Sequence, residues 1–477
     1  MTLARQVAHN TALQLAGKVM STLLGLATVA IMTRSLGVEQ FGWYITATGF
    51  LQFIGIFSDF GFTVTTSNLL AEPNYSARDV MDTAFTWRLI TALVFNGAVP
   101  ATIIFFPYPP EVKLAVALTT GSFLATALSS IFIAYYRTKL RLWYPTVADL
   151  VSRLVLLVGV YMVAVGHAGF LPMMAIITLA ALISFAYLLY KSGGIRLRLT
   201  RAVTRALFYK MWPTALAIIF NSFYLQGDRV ILPLYVSQTD VGFYGAAYRV
   251  LDVVVQSAAM IMGLIMPLIT FAWSRGLTAD FRHRLQLGFD IIAFFLLPTL
   301  AGATVLAGPL MRFVAGPEFA AAGWILGYLS VAIIGICFGM VFGHVMLAIN
   351  HQKESLWVFL SDAILSVIGY FIFIPRFGVA GAIGVTIFSE WYAGFFLALL
   401  SWYYSKQFPA LVTFAKIALA SAGMAFIVRL LQPLNFLVSV GLGALIYMVA
   451  ILLLRVISKQ TIREIVAFRS VAPSAEF

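Results

Sequence analysis

Seven cationic side chains fall inside long apolar stretches of this 477-residue chain: Lys18, Arg88, Arg153, Arg229, Arg249, Lys416 and Arg429. The acids in or beside the same stretches are Asp59, Asp149, Asp228, Asp252, Asp290, Asp362 and Glu390. A charged side chain at bilayer depth costs at least about 2.5–3.5 kcal/mol on insertion scales, so each of these needs a partner or a task. Arginine engages phosphate or carboxylate oxygens through its planar fork, whereas lysine acts as a point charge. Asp149 and Arg153 stand four apart in the favourable order and are predicted to pair along one helix face. Lys416 and Arg429 lie near the ends of their stretches and are expected to snorkel to the interface. That leaves Lys18, Arg88, Arg229 and Arg249 as candidate cations of a translocation path, with Asp59, Asp228, Asp252 and Glu390 as paired or coupling carboxylates. For Arg249 two readings stand: a cation facing a cavity, or one whose donors Asp228 and Asp252 consume. Glu390 is read either as a proton-coupling carboxylate or as a buried neutral acid hydrogen-bonded to a neighbour.

Covalent chemistry has no foothold in the sequence. No His-Glu-x-x-His run, Walker A loop, Gly-x-Ser-x-Gly elbow or paired-cysteine site occurs. His9, His167, His283, His344 and His351 are too scattered to converge on a metal, and the lone Cys337 reads as a small core residue. No catalytic residue, metal or cofactor is expected beyond a coupling ion, H+ or Na+.

The elements that must position these charges are membrane helices. The chain is 61% hydrophobic and 10% charged, against roughly 25% charged in soluble domains. About 20 apolar residues in a helix cross the hydrocarbon of a bilayer. Fourteen spans are predicted, at 12–33, 41–61, 83–106, 114–136, 146–166, 169–190, 208–233, 241–270, 288–312, 321–349, 357–375, 379–404, 409–431 and 434–456. With Met1 in the cytoplasm, twenty Lys and Arg fall in cytoplasmic segments, while Arg34, Lys113, Arg312 and Arg376 fall opposite. That bias predicts cytoplasmic termini in a multi-pass membrane protein. The first apolar segment is too long for a signal-peptide core and is expected to remain as the first helix. The +13 net charge is assigned to anionic membrane lipids, not to nucleic acid.

An internal repeat organises the spans. Phe41-Gly42-Trp43-Tyr44 is echoed 200 residues later by Val241-Gly242-Phe243-Tyr244, each at the head of an even-numbered span. The connector at about 191–207 carries Gly193-Gly194 and alternating basic residues near the middle of the chain. The predicted organisation is an N-terminal six-helix lobe at 1–195, a second six-helix lobe at 196–405, two added helices at 406–456 and a cytoplasmic tail at 457–477. Pseudo-symmetric repeats of this kind occur in several transporter folds. Counting from the connectors at about 1.5 Å per residue puts Lys18, Asp59 and Arg88 within roughly 10 Å of the cytoplasmic face. The pairs Asp228-Arg229 and Arg249-Asp252 are expected at one depth, roughly 8–17 Å below the opposite face. Pro213, Pro267 and Pro298 permit kinks, static or mobile.

The run Arg34-Ser35-Leu36-Gly37-Val38-Glu39-Gln40-Phe41-Gly42-Trp43-Tyr44, followed by Asp59-Phe60-Gly61-Phe62, resembles the opening signature of bacterial polysaccharide exporters. These are the O-antigen flippase type within the multidrug/oligosaccharidyl-lipid/polysaccharide superfamily. Gly227-Asp228-Arg229 and the run from Val241 to Arg249 are similar to that family's second repeat. The resemblance implies a two-lobed, V-shaped helical bundle that moves an isoprenoid-diphosphate-linked oligosaccharide to the outer leaflet by alternating access. Spans one, two, seven and eight would then border the cavity. The candidate cations would meet the diphosphate, and Gln52, Asn221, Tyr224, Gln226 and Tyr248 would offer sugar contacts. Polysaccharide polymerase and glycosyltransferases are the partners it implies. Two other classes stay open: a cation-coupled multidrug antiporter of the same superfamily, and a membrane polysaccharide polymerase or glycosyltransferase. Surplus cations in the first half argue against the former, and short outer loops against the latter.

Overall fold

The computed structural model describes residues 3–431 and 434–456, without the side chains of 3–12, 15, 213, 214, 216–218 and 220–225. The predicted tail at 457–477 lies outside the described residues. Within them all regular structure is helical, as a chain that must satisfy its own backbone in lipid requires. The helices are α1 (Leu3–Asp59), α2 (Phe62–Ala71), α3 (Ala77–Thr102), α4 (Pro110–Thr138), α5 (Trp143–Val165), α6 (Phe170–Lys191), α7 (Arg201–Ile231) and α8 (Gln238–Ser274). There follow α9 (Thr278–Val305), α10 (Ala307–Ala315), α11 (Gly323–Leu329), α12 (Ala332–Ala348), α13 (Gln352–Phe377), α14 (Val379–Ser405), α15 (Leu411–Leu430) and α16 (Phe436–Leu453). The protein is a polytopic, all-α membrane protein.

Among the described residues, eleven segments are long and apolar enough to cross a bilayer, or twelve if Pro317–Leu329 and Ala332–Ala348, bent by 52°, form one crossing. The sequence predicts fourteen, and the difference has a local origin. Residues 34–40, expected to connect two spans, are helical on both sides of one residue, Gly37 (φ 69°, ψ −177°). That conformation is open to glycine almost alone, so the chain turns within a single residue and α1 continues through it. The seventh predicted span, α7, carries Lys210, Asp228 and Arg229 and is not among the eleven.

The chain separates into two compact units, Met1–Gly242 and Phe243–Phe477. In the first, α1 packs on α4, α5 and α7, and α4 on α6. One core gathers Met32, Phe50, Leu51, Val116 and Met174, and another Phe62, Phe85, Phe132 and Leu207. Close approach is bought with glycine where α1 meets the head of α8. A Cβ on Gly42 would stand 1.8 Å from the Gln238 carbonyl oxygen, and one on Gly242 would stand 2.1 Å from that of Val38. One turn on from Gly42, the Thr46 hydroxyl donates to Gln238 Oε1 at 2.8 Å. In the second unit a core runs from Leu251 and Phe289 through Phe342 to Tyr447 and Ile451. There α12 packs along α14, with Gly335 facing the Glu390 backbone.

The connector between α6 and α7 is an ordered strap. Arg78 donates to Asp82 at 3.3 Å and to the Gly194 carbonyl at 2.7 Å. The backbone N–H groups of Arg196, Arg198 and Thr200 donate in turn to Asp82, Thr86 and Thr83, at 3.2, 3.1 and 3.2 Å. Alternate residues of an extended segment point one way, which is why every second N–H finds α3. Asp82 is 3% exposed and accepts two of these contacts, from Arg78 and Arg196 on the exposed side, so Asp82→Ala removes two hydrogen bonds to a buried carboxylate at a cost of about 1.5–3 kcal/mol. Trypsin is expected to cut at Arg196 and Arg198 about tenfold faster in that variant, because cleavage follows the population of the opened strap.

Candidate functional site

Apart from Asp82 under the strap, the buried charges described in the first unit fall in two groups. Arg88, 4% exposed, reaches from α3 to the end of α1. There its Nη2 lies 3.0 Å from Asp59 Oδ1 and its Nη1 donates to the Ser58 carbonyl, while its Nε donates to the Ala127 carbonyl of α4 at 3.2 Å. These contacts follow from a break in the helix. Phe60 (φ 41°) and Gly61 (φ 79°) end α1, and Thr63 on α2 donates back to Asp59 at 2.7 Å. Arg88 thus clamps the α1–α2 corner through three different acceptors. Lys18 lies on α1, exposed, and makes no ion pair among the described residues.

The second group joins α1 to α7. Arg229 Nη1 donates to Gln52 Oε1 at 3.3 Å, and Gly49 lets the α7 backbone approach, a Cβ there being 3.1 Å from the Arg229 carbonyl oxygen. Asp228 is 1% exposed beside it. Gln226, one turn earlier, has a buried Oε1 without a hydrogen-bond partner among the described residues. The structure therefore brings Gln52, Gln226 and Arg229 to one pair of helices, while the side chains of Asn221 and Tyr224 lie outside the described residues.

In the second unit Arg249 and Asp252 meet along α8 at 4.0 Å, each side chain about one-quarter exposed. Tyr248 stacks obliquely on Tyr244, with ring centroids 5.5 Å apart. Glu390 is half-buried on α14 where that helix crosses α12. Asp149 and Arg153 stand 3.6 Å apart along α5, and Ser21 of α1 donates to the same carboxylate at 2.5 Å.

Two features escape the sequence reading. Asp362, fully buried on α13, accepts from Ser366 at 3.2 Å and from Ser389 of α14 at 3.1 Å. The Ser366 spacing of four was visible, but Ser389 is joined to it only by the fold. The second feature is an apolar cavity of about 450 Å³ walled by α8, α9, α15 and α16, with Val254, Phe295, Pro298, Met424, Tyr447 and Met448 among its lining. The two added helices are thus part of a cavity wall, a role no spacing in α15 or α16 announces.

These features belong to a fold seen in known transporters. The structure is similar to that of the lipid II flippase MurJ in an inward closed conformation, with a TM-score of 0.77, 15% identity, and coverage of 94% of this chain and 99% of that one. An inward-facing multidrug resistance MATE family transporter of the MOP superfamily follows, at TM-score 0.66 and 14% identity, covering 83% and 98%. In sequence, residues 7–273 match the family model described as polysaccharide biosynthesis protein, and the chain belongs to that family. A probable low-salt glycan biosynthesis flippase of Haloferax volcanii, Agl15, is 23% identical over 185 residues, spanning 39% of each protein.

Proposed function

We propose that the protein is a flippase for an isoprenoid-diphosphate-linked oligosaccharide, an O-antigen or exopolysaccharide repeat unit, and that it works by alternating access without covalent chemistry. The observation that carries this reading is the family match over residues 7–273. The cavity walled by α15 and α16 supports it, since an isoprenoid chain needs an apolar berth and the lining offers almost nothing else. Lys18, Arg229 and Arg249 are the cations proposed to meet the diphosphate, with Asp228, Asp252 and Glu390 balancing or coupling them. Gln52, Gln226 and Tyr248 are proposed for sugar hydroxyls. The basic-residue bias supports an inner-membrane protein with cytoplasmic termini. It also supports fourteen crossings in two six-helix lobes, 1–195 and 196–405, plus two. At about 1.5 Å per residue, a 57-residue α1 is more than twice the hydrocarbon thickness, enough for two crossings divided at Gly37. Polymerase and glycosyltransferases are the proposed neighbours in the pathway, and H+ or Na+ the coupling ion.

Deletion of the gene is expected to accumulate lipid-linked oligosaccharide in the cytoplasmic leaflet. Wild-type protein restores export, while Arg249→Ala restores it at least about tenfold less, the loss of one charge-assisted contact to phosphate. Normal surface polysaccharide combined with dye sensitivity in the deletion strain would instead assign a drug antiporter.

A further inference from the structure

A cleft of about 800 Å³ opens in the first unit between the end of α2 and the start of α7. It is lined by Asn68, Glu72, Tyr209, Lys210 and Trp212. None of the candidate path residues lies in it. Its construction follows from the helical period of α7: Val203, Leu207 and Met211 are buried, while Tyr209 and Trp212, three apart, share the opposite face. Phe208 packs edge-on between Phe62 and Trp87, which holds the helix in that rotation. Tyr209 is 83% exposed and Trp212 58% exposed, and Phe60 braces Trp212 at a centroid distance of 6.2 Å. Between the helices, Lys210 pairs with Glu72.

We infer that this cleft is a docking subsite for the glycan part of the cargo, distinct from the cations that would meet its diphosphate. The inference rests on the proposed flippase function. Exposed aromatic faces fit the apolar C–H faces of sugar rings, which present flat apolar patches rimmed by hydroxyls. The Lys210–Glu72 pair is electrically neutral, so the cleft has no charge with which to prefer an anion. What remains is an amide, a carboxylate and an ammonium, which together donate to and accept from hydroxyl groups. The volume lies within the 300–1,000 Å³ typical of small-molecule sites. Arg78 and the basic strap flank the ends of these helices, and the charge bias assigns that side to the cytoplasm, where the glycan of an unflipped cargo lies.

The test uses the full chain in phospholipid nanodiscs and, as probe, the oligosaccharide released by mild acid from the producing cells' isoprenoid-diphosphate pool. Equilibrium dialysis is expected to show saturable binding, weakened about tenfold or more by Trp212→Ala or Tyr209→Ala and nearly kept by Trp212→Phe, which preserves a ring face. Millimolar inorganic diphosphate should not displace it. Asn68→Ala, at an exposed position, gives a second reading on a folded protein if an aromatic variant unfolds. Absence of saturable binding to wild type overturns the inference. So does wild-type binding by Trp212→Ala, which would make these aromatics bilayer-interface anchors, or displacement by diphosphate. The leaflet-accumulation experiment is independent of Trp212, so a failed flippase assignment and a failed glycan subsite give different results.

Discussion

Arg88→Leu is expected to destabilise the protein by about 3–5 kcal/mol, the usual consequence of removing one partner from a buried ion pair. It leaves the Asp59 carboxylate without a cation, with Thr63 as its donor, and withdraws donors from the Ser58 and Ala127 carbonyls in a place where lipid offers no replacement. The change is read as the midpoint of thermal unfolding in detergent. Arg88→Lys keeps the charge but cannot reach three separated acceptors with one ammonium, so it should recover only part of the loss. Arg88→Leu combined with Asp59→Leu should recover more, since the stranded acid is gone. Transport per folded molecule separates a clamp from a path cation. A clamp predicts near-normal transport by the double variant. A double variant that folds well but does not transport would place Arg88 in contact with cargo.

Part of this clamp was legible. The depth of Arg88 and Asp59 near one face followed from counting residues along two spans, but the sequence set Arg88 among the path cations and Asp59 among the paired or coupling carboxylates without joining the two. The carbonyl acceptors were not legible, because Ser58 exposes its oxygen only where Phe60 and Gly61 break the helix. The same limit recurs elsewhere. Gly37 marked a turn in the sequence, yet a kink confined to one residue between two helices could not be read from hydropathy, which averages over many residues. The connector at 191–207 was recognisable by its glycines and alternating cations. That it is strapped to α3 depended on Asp82, Thr83 and Thr86, residues a hydropathy scan merges into the third span and its flank. Tyr209 and Trp212 fall inside a predicted span, where hydropathy gives them no partner, whereas the cleft exists only because Asn68 of α2 and Glu72 just beyond its end stand across from them. Periodicity reports which residues are apolar and how deep they lie, while the identity of a partner on another helix is tertiary information.

The internal repeat is the case where sequence and structure carry the same signal, and it sets the second large expected effect. Gly42 and Gly242, 200 residues apart, each face the carbonyl four residues before the other: Gln238 for Gly42, Val38 for Gly242. The reciprocity means that one separation of α1 from the α8 head governs both sites. Gly42→Ala places a Cβ 1.8 Å from a backbone oxygen that cannot swing aside as a side chain could, so the two segments must part and strain the Thr46–Gln238 bond. An overpacking cost of about 1–3 kcal/mol is expected, larger for Gly42→Val. Gly242→Ala should cost a similar amount, for the same reason. The double variant should then cost less than the sum, because the separation forced by one methyl relieves the other, with a coupling of about 0.5–3 kcal/mol. Unfolding midpoints of the two single variants and the pair measure it. Additive losses would mean two independent clashes, and an unchanged Gly42→Ala midpoint would mean that the crossing is not closed in the folded protein.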